Sequence, residues 1–290
     1  MSYLRALMAQ NEYSERALSL TADIITMNPA HYTVWLYRSR TLRELGDREG
    51  SQGYLRRLKE ELAWLDDGVC ARNLKNYQVW HHRQTLVAAL ADVPRGEIEF
   101  LKGILDLDAK NYHVWTYRQW LCGHFPTLLE DEQELRAVEG MIEEDVRNNS
   151  AWNHRYFLCF GAEELKRKKE GMGGTVVDEE LVDREVEYAC GKIGLAPQNG
   201  SPWNYLKGVL KRGGRELQTM QGFCEGFVGD DLLGEGVRSS HAVDWLAEIY
   251  QKQGEQRRAV ECLDALSKKW DPIRANYWEY RKKQVVPVVS

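Results

Sequence analysis

Residues 74–86 read LKNYQVWHHRQTL, and a second copy, AKNYHVWTYRQWL, runs from Ala109 to Leu121. A third, PAHYTVWLYRSRTL, begins at Pro29. Alignment on the tryptophan adds NNSAWNHR and NGSPWNYLK, so the anchors are Trp35, Trp80, Trp115, Trp152 and Trp203. A weaker sixth copy, ANYWEYRKK, surrounds Trp278. Successive anchors lie 45, 35, 37 and 51 residues apart, a base period of about 35 with insertions in the longer gaps. Such a period belongs to stacked helix hairpins. The insertions are expected as loops at GDREGSQG, from Gly46, and at KRKKEGMGGTVVDEE, from Lys166.

Each unit reads as two helices. In PRGEIEFLKGILDLDAK, Pro94 suits a helix start, and Ile98, Leu101 and Leu105 fall on one face at spacings of three and four. Asn111 then suits an N-cap, because its side-chain oxygen can accept an orphan backbone N–H. In the second helix of the preceding unit, Val79, Trp80, Arg83, Leu86, Val87 and Leu90 share one face, which must be the buried one. Tryptophan is therefore the core anchor of each repeat. The arginine three residues later sits on the same face and needs a carboxylate or a helix-end carbonyl as partner. Its regular return points to a stacking device between repeats. No strand pattern of useful length appears. The expected fold is all-α, a right-handed α-α superhelix of antiparallel helix hairpins, taken as a single domain over 1–290.

The bulk chemistry removes several function classes. The chain has 290 residues, a formal net charge of −5 and a pI near 5.9, which argues against a nucleic-acid binder with its basic footprint. No apolar run approaches the roughly 18–20 residues needed to span a bilayer, and the first residues lack a signal-peptide core. Cys70, Cys122, Cys159, Cys190, Cys224 and Cys262 are widely spaced with no C-x-x-C pair. Neither a disulfide framework nor a sequence-local zinc site follows. Reduced thiols in a cytoplasmic protein are expected, with no metal held by this chain.

The N-Y-x-x-W-x-x-R repeat lacks the W-x-x-L-G-x-x-Y pattern of tetratricopeptide repeats. It resembles instead the α subunits of the protein prenyltransferases, above all the α subunit shared by protein farnesyltransferase and type I geranylgeranyltransferase. The resemblance runs from SERALSLTADIITMNPAHYTVW at Ser14, through KNYQVWHHR, DAKNYHVW, EEDVRNNSAWNHRYF and PWNYLKG, to YWEYRKK at Tyr277. It implies a helical-hairpin crescent that embraces a β subunit and shares in attaching a farnesyl or geranylgeranyl group to a C-terminal CaaX cysteine. Zinc is then held by the β subunit, with magnesium as a second candidate metal. The β subunit decides between farnesyl and geranylgeranyl chains.

Two layers of the motif separate on this basis. Trp80 and Arg83 face inward, whereas Lys75, Tyr77 and Gln78 stand at the start of the helix. A helix N-terminus offers free backbone donors and partial positive charge, and a lysine there suits an anion. From the residues alone, a solvated lysine and an anion ligand both remain open. The resemblance implies that Lys75 meets the isoprenoid diphosphate, with Tyr77 beside it, and that Gln78 binds the peptide's terminal carboxylate. It likewise implies that Tyr112 and His113 lie at the diphosphate end and Tyr32 near the peptide's last residue. The tyrosines recur with the repeat, so packing is an equal alternative for them. Lys110 is read as a rim charge, and His81, His82 and His154 as structural. The first repeat carries His31 where the others carry the asparagine, so a different cap is expected there. Two further readings are the Rab geranylgeranyltransferase α subunit, whose extra domains 290 residues leave no room for, and a non-enzymatic scaffold. The Gly-rich 212–240 stretch resists assignment.

Overall fold

The asparagine ahead of each repeat's tryptophan sets where a helix begins. In the computed structural model, which describes residues 1–129, 132–172 and 178–285, the side-chain oxygen of Asn76 accepts from the Gln78 N–H at 2.9 Å. Asn111 accepts from His113 N and Val114 N, Asn148 from Ser150 N and Ala151 N, and Asn199 from Ser201 N. His31 makes no such bond, as expected from its departure from the motif.

In chain order the helices are α1 (Ser2–Ala9), α2 (Glu15–Met27), α3 (Tyr32–Trp64), α4 (Cys70–Arg72), α5 (Tyr77–Ala88), α6 (Glu97–Leu107), α7 (Tyr112–His124) and α8 (Gln133–Glu144). They continue as α9 (Asn149–Tyr156), α10 (Ala162–Lys169), α11 (Glu179–Leu195), α12 (Gly200–Arg212), α13 (Gln221–Glu225), α14 (Ser240–Gln253), α15 (Gln256–Ala265) and α16 (Ala275–Val285). No strand occurs among the described residues. The fold is all-α, of the helical-repeat superhelix class. The chain divides into two compact units, Met1–Glu134 and Leu135–Ser290.

In the first unit α3 packs on α2 and α5, and α7 packs on α5 and α6. The expected loop at Gly46 is replaced by a one-residue break inside α3. Gly50, at φ 76° and ψ 179°, leaves the helical region, a conformation a side chain would strain. The helical segments on either side meet at Gly46, where an added Cβ would lie 2.8 Å from the Tyr54 backbone. The first insertion is thus mostly helix. In the second unit α12 packs on α9 and α11, α14 on α15, and α15 on α16. Of the other expected loop, Lys166–Lys169 belong to α10 and residues 173–177 lie outside the described ones.

The tryptophans are core, as their spacing requires. Trp35, Trp80, Trp115, Trp152 and Trp203 are all buried, and each indole N–H donates to the carbonyl six residues earlier: Pro29, Leu74, Ala109, Val146 and Pro197, at 2.8–3.0 Å. At Leu74, Val146 and Pro197 that carbonyl also serves the next repeat. Asn111 Nδ2 donates to Leu74 O, Asn199 Nδ2 to Val146 O, and Ser239 Oγ to Pro197 O. Ser239 caps α14 through Ala242 N, so α14 is a repeat helix standing before the weak copy at Trp278. The Gly-rich stretch ahead of it holds a short turn and α13, with Phe223 and Phe227 against Trp203.

The arginine's partner is a carboxylate on the first helix of the following repeat. Arg38 grips Glu61 with two bonds of 2.6 Å, Arg83 grips Glu97 at 2.8 and 2.6 Å, and Arg118 grips Glu134 at 2.5 and 2.9 Å. Arg155 does the same to Glu185 at 2.7 and 3.0 Å. The bidentate fork fixes distance and angle together. The residue two beyond the next repeat's tryptophan then joins the carboxylate: His82 to Glu61 at 2.7 Å, Tyr117 to Glu97 and Tyr205 to Glu185 at 2.6 Å. Burial pushes the Glu61 and Glu185 carboxyls up, but the bonds from these partners outweigh it and hold both below the ordinary 4.5. Three of these arginines also lie over an aromatic ring three residues beyond the glutamate, Trp64, Phe100 or Tyr188, at 3.6–4.0 Å.

Candidate functional site

With tryptophan and arginine turned inward, the motif's remaining residues fall at the helix starts. Tyr32, Tyr77 and Tyr112 are 68%, 67% and 65% exposed, so the packing alternative for the recurring tyrosines is not what the structure adopts. Gln78 and His113 are half-buried behind them. Lys75 stands one residue before the cap of α5, and its side chain is 81% exposed.

Four of the six residues that the sequence points to converge where α5 and α7 begin. The Tyr77 and His113 rings meet edge to face with centroids 4.2 Å apart, and Tyr112 lies 5.7 Å from His113. The His113 imidazole engages the Lys75 backbone. Burial lowers the His113 pKa below its ordinary 6.5, and the bond to the Lys75 backbone only partly offsets this. In the ligand-free site this favours the neutral imidazole. Asn111, buried at the cap of α7, ties the two helix starts together through Leu74 O at 3.3 Å. Its Nδ2 also donates to Asp108 Oδ2 at 3.2 Å, and the same oxygen lies 3.6 Å from Lys75 Nζ. Asp108 is absent from the residues the sequence points to. Its signal is an acid three residues ahead of the N-cap, a common Asx-turn placement.

Tyr32 and Gln78 occupy a neighbouring groove of about 710 Å³ between α3 and α5. Leu36, Ser39, Arg40, His81 and His82 also line it. His82 is held from both sides, by Glu61 at Nε2 and by Ser39 Oγ at Nδ1, 3.0 Å away, in keeping with its structural reading. Together the two parts offer aromatic faces, amide and imidazole hydrogen bonds, two helix starts and the exposed cation of Lys75. That set suits an extended apolar ligand with an anionic head and a peptide-like neighbour.

The cysteines do not supply a nucleophile. All six are free, and burial pushes Cys70, Cys159, Cys224 and Cys262 up to about 12 and Cys190 to about 11. Thiols held so high stay protonated at neutral pH. Among the described residues no helix is long and apolar enough to cross a membrane.

The model of the protein prenyltransferase alpha subunit repeat matches residues 14–45, 58–90, 94–125 and 131–161. The protein farnesyltransferase/geranylgeranyltransferase type-1 subunit alpha of Candida albicans is 39% identical over 99% of this chain and 89% of that protein. Human geranylgeranyl transferase type-2 subunit alpha is 32% identical over a shorter match, 33% of this chain and 17% of that protein. Among solved structures, protein geranylgeranyltransferase-I of Candida albicans, complexed with GGPP, superimposes with a TM-score of 0.84 at 36% identity, covering 98% of this chain and 88% of that one.

Proposed function

The chain belongs to the protein prenyltransferase alpha subunit repeat family, and on that premise we propose that it is the α subunit of a farnesyltransferase/geranylgeranyltransferase type I. The near-full-length similarity to the type-1 subunit alpha carries this reading; the type-2 match covers only a third of the chain. The chain acts as one helical-repeat domain, in the cytoplasm, paired with a β subunit. The pair transfers a farnesyl or geranylgeranyl group from its diphosphate to the cysteine thiol of a C-terminal CaaX motif. Zinc belongs to the β subunit, where it would supply an activated thiolate, and magnesium would be a further diphosphate counter-ion.

This chain's part in the reaction is electrostatic and positional. Transfer leaves negative charge on the departing diphosphate. Lys75 Nζ and the N–H groups that the asparagine caps leave over at the starts of α5 and α7 stabilise that charge. His113, whose one ring N–H is turned to the Lys75 backbone, donates its second ring N–H to the anion once the anion's charge has drawn a proton onto the imidazole. Tyr77 and Tyr112 flank the same anion and shield it from water. Gln78 donates its amide to the peptide's terminal carboxylate, and Tyr32 packs against the last peptide residue. The exposed tyrosines and the convergence of Lys75, Tyr77, Tyr112 and His113 support these roles. Co-purification with a zinc-bearing β subunit, followed by prenyl transfer to CaaX peptides, tests the proposal. Activity that requires both chains is expected. Tight pairing without transfer to any CaaX peptide overturns it in favour of a scaffold, and transfer confined to Rab proteins in favour of the type-2 reading.

A further inference from the structure

Asp108 is more than a solvated acid beside Lys75. It closes α6, with its N–H donating to Ile104 O and its carbonyl accepting from Asn111 N, both at 3.0 Å. Its carboxylate is fixed from the side by Asn111 Nδ2. Asn111 is itself buried and anchored to Leu74 O, the carbonyl immediately before Lys75. The acid is therefore held still against the backbone that carries the lysine. Lys75 is the mobile partner, since its side chain is mostly in water. Among the described residues, Asp108 is the carboxylate it meets within salt-bridge distance.

We propose that Asp108 is a positioning residue that parks Lys75 in the empty site and competes with diphosphate for it. This rests on the reading of Lys75 as a diphosphate ligand. An arriving isoprenoid diphosphate draws Nζ from Asp108 Oδ2 onto a phosphate oxygen, and no covalent bond changes. When inorganic diphosphate is the product, recapture of Nζ by Asp108 helps the anion leave. The device weakens ground-state binding of both anions and keeps the lysine within one side-chain swing of the helix starts.

The test uses the heterodimer in four forms: unchanged, Asp108→Asn, Lys75→Ala, and the double variant. Asparagine retains an oxygen for Asn111, and Asp108→Ser provides a second uncharged acceptor should the amide disturb folding. Dissociation constants are measured for inorganic pyrophosphate and for a fluorescent isoprenoid diphosphate analogue, with single-turnover rates alongside. Removing an exposed ion pair of this class changes an equilibrium about 1.4- to 5-fold. Asp108→Asn is expected to tighten pyrophosphate binding by that factor, and the gain is expected to vanish when Lys75 is alanine. No tightening, or equal tightening in both backgrounds, overturns the proposal; the latter marks a general field effect. If Lys75→Ala alters neither pyrophosphate affinity nor the single-turnover rate, the underlying reading of Lys75 has failed instead. The two failures are therefore distinguishable.

Discussion

The groove between α3 and α5 and the groove between α9 and α12 are built alike and lined differently. Each lies between the second helices of successive repeats, above a buried tryptophan, an Arg–Glu fork and a polar side chain joined to the glutamate. The first holds about 710 Å³ among Tyr32, Leu36, Gln78 and His81. The second holds about 220 Å³ among Asn149, Asn153, Ser201 and Asn204. Gly208 sits there against Tyr156, a ring that would stand 3.1 Å from an added Cβ. At the position three before the tryptophan, Tyr32, Tyr77 and Tyr112 give way to Asn149 and Gly200. Inward residues thus repeat because each must fit its neighbour, whereas residues at the helix mouth are free to diverge toward a ligand.

The strongest way to break this comparison is to remove the anchors. Trp80→Ala and Trp152→Ala are each expected to cost about 3–5 kcal/mol through cavity formation, read from denaturant midpoints. A Trp80→Ala chain that assembles normally and loses only catalysis would refute the core role. Next come the forks. Glu97→Ala and Glu185→Ala each leave a buried arginine with one remaining carboxylate, Asp66 for Arg83 and Glu139 for Arg155. The loss should therefore stay below that of a fully stranded charge, about 3–5 kcal/mol, and equal losses in the two units would show that the device is shared. Two of the fork carboxylates set an acid limit. Because Glu61 and Glu185 are held below 4.5 in the fold, their stabilisation is complete above that pH and is lost as pH falls through the lowered values. The share of the unfolding midpoint that these two carboxylates contribute, read by comparing the parent with Glu61→Gln and Glu185→Gln, should therefore stay level above pH 4.5 and decline below it.

At the helix mouth the two units should part. Lys75→Ala should slow prenyl transfer about 10- to 150-fold, the loss of one charge-assisted bond of about 1.5–3 kcal/mol in the transition state, while the heterodimer still forms. Ser150→Ala, at the position of Gln78 and His113 in the second unit, should leave single-turnover rates unchanged. An unaltered rate for Lys75→Ala would sink the assignment. The smallest effect concerns the caps. His31→Asn should stabilise the chain by about 0.5–2 kcal/mol and Asn76→Ala destabilise it by a similar amount, both measurable as shifts in Tm.

Much of the site was legible because its residues are neighbours in the chain. Lys75, Tyr77 and Gln78 lie within one turn of a helix start, and Tyr112 with His113 repeats the placement one period later. The fork was half legible. Arg83 demanded a partner, and Glu97 stands 18 residues before Trp115, as Glu134 does before Trp152 and Glu185 before Trp203. That spacing, with an aromatic three residues beyond Glu97 and Glu185, was a readable signal. The hinge at Gly50 was not, since a loop-like composition lies inside helix on both sides. Nor was the repeat at α14, where Ser239 replaces asparagine and the tryptophan register shifts.

By itself, the sequence determined the period, the inward face of each helix and the helix starts. Those follow from local rules, the 3.6-residue turn and the capping chemistry of asparagine. Only the tertiary structure decided which carboxylate each arginine grips and which carbonyl joins one repeat to the next. It also decided that Asp108 faces Lys75 across 33 residues of chain. Such pairings depend on how helices stack, and a side chain's distant partner is chosen by packing and electrostatics that no local pattern encodes.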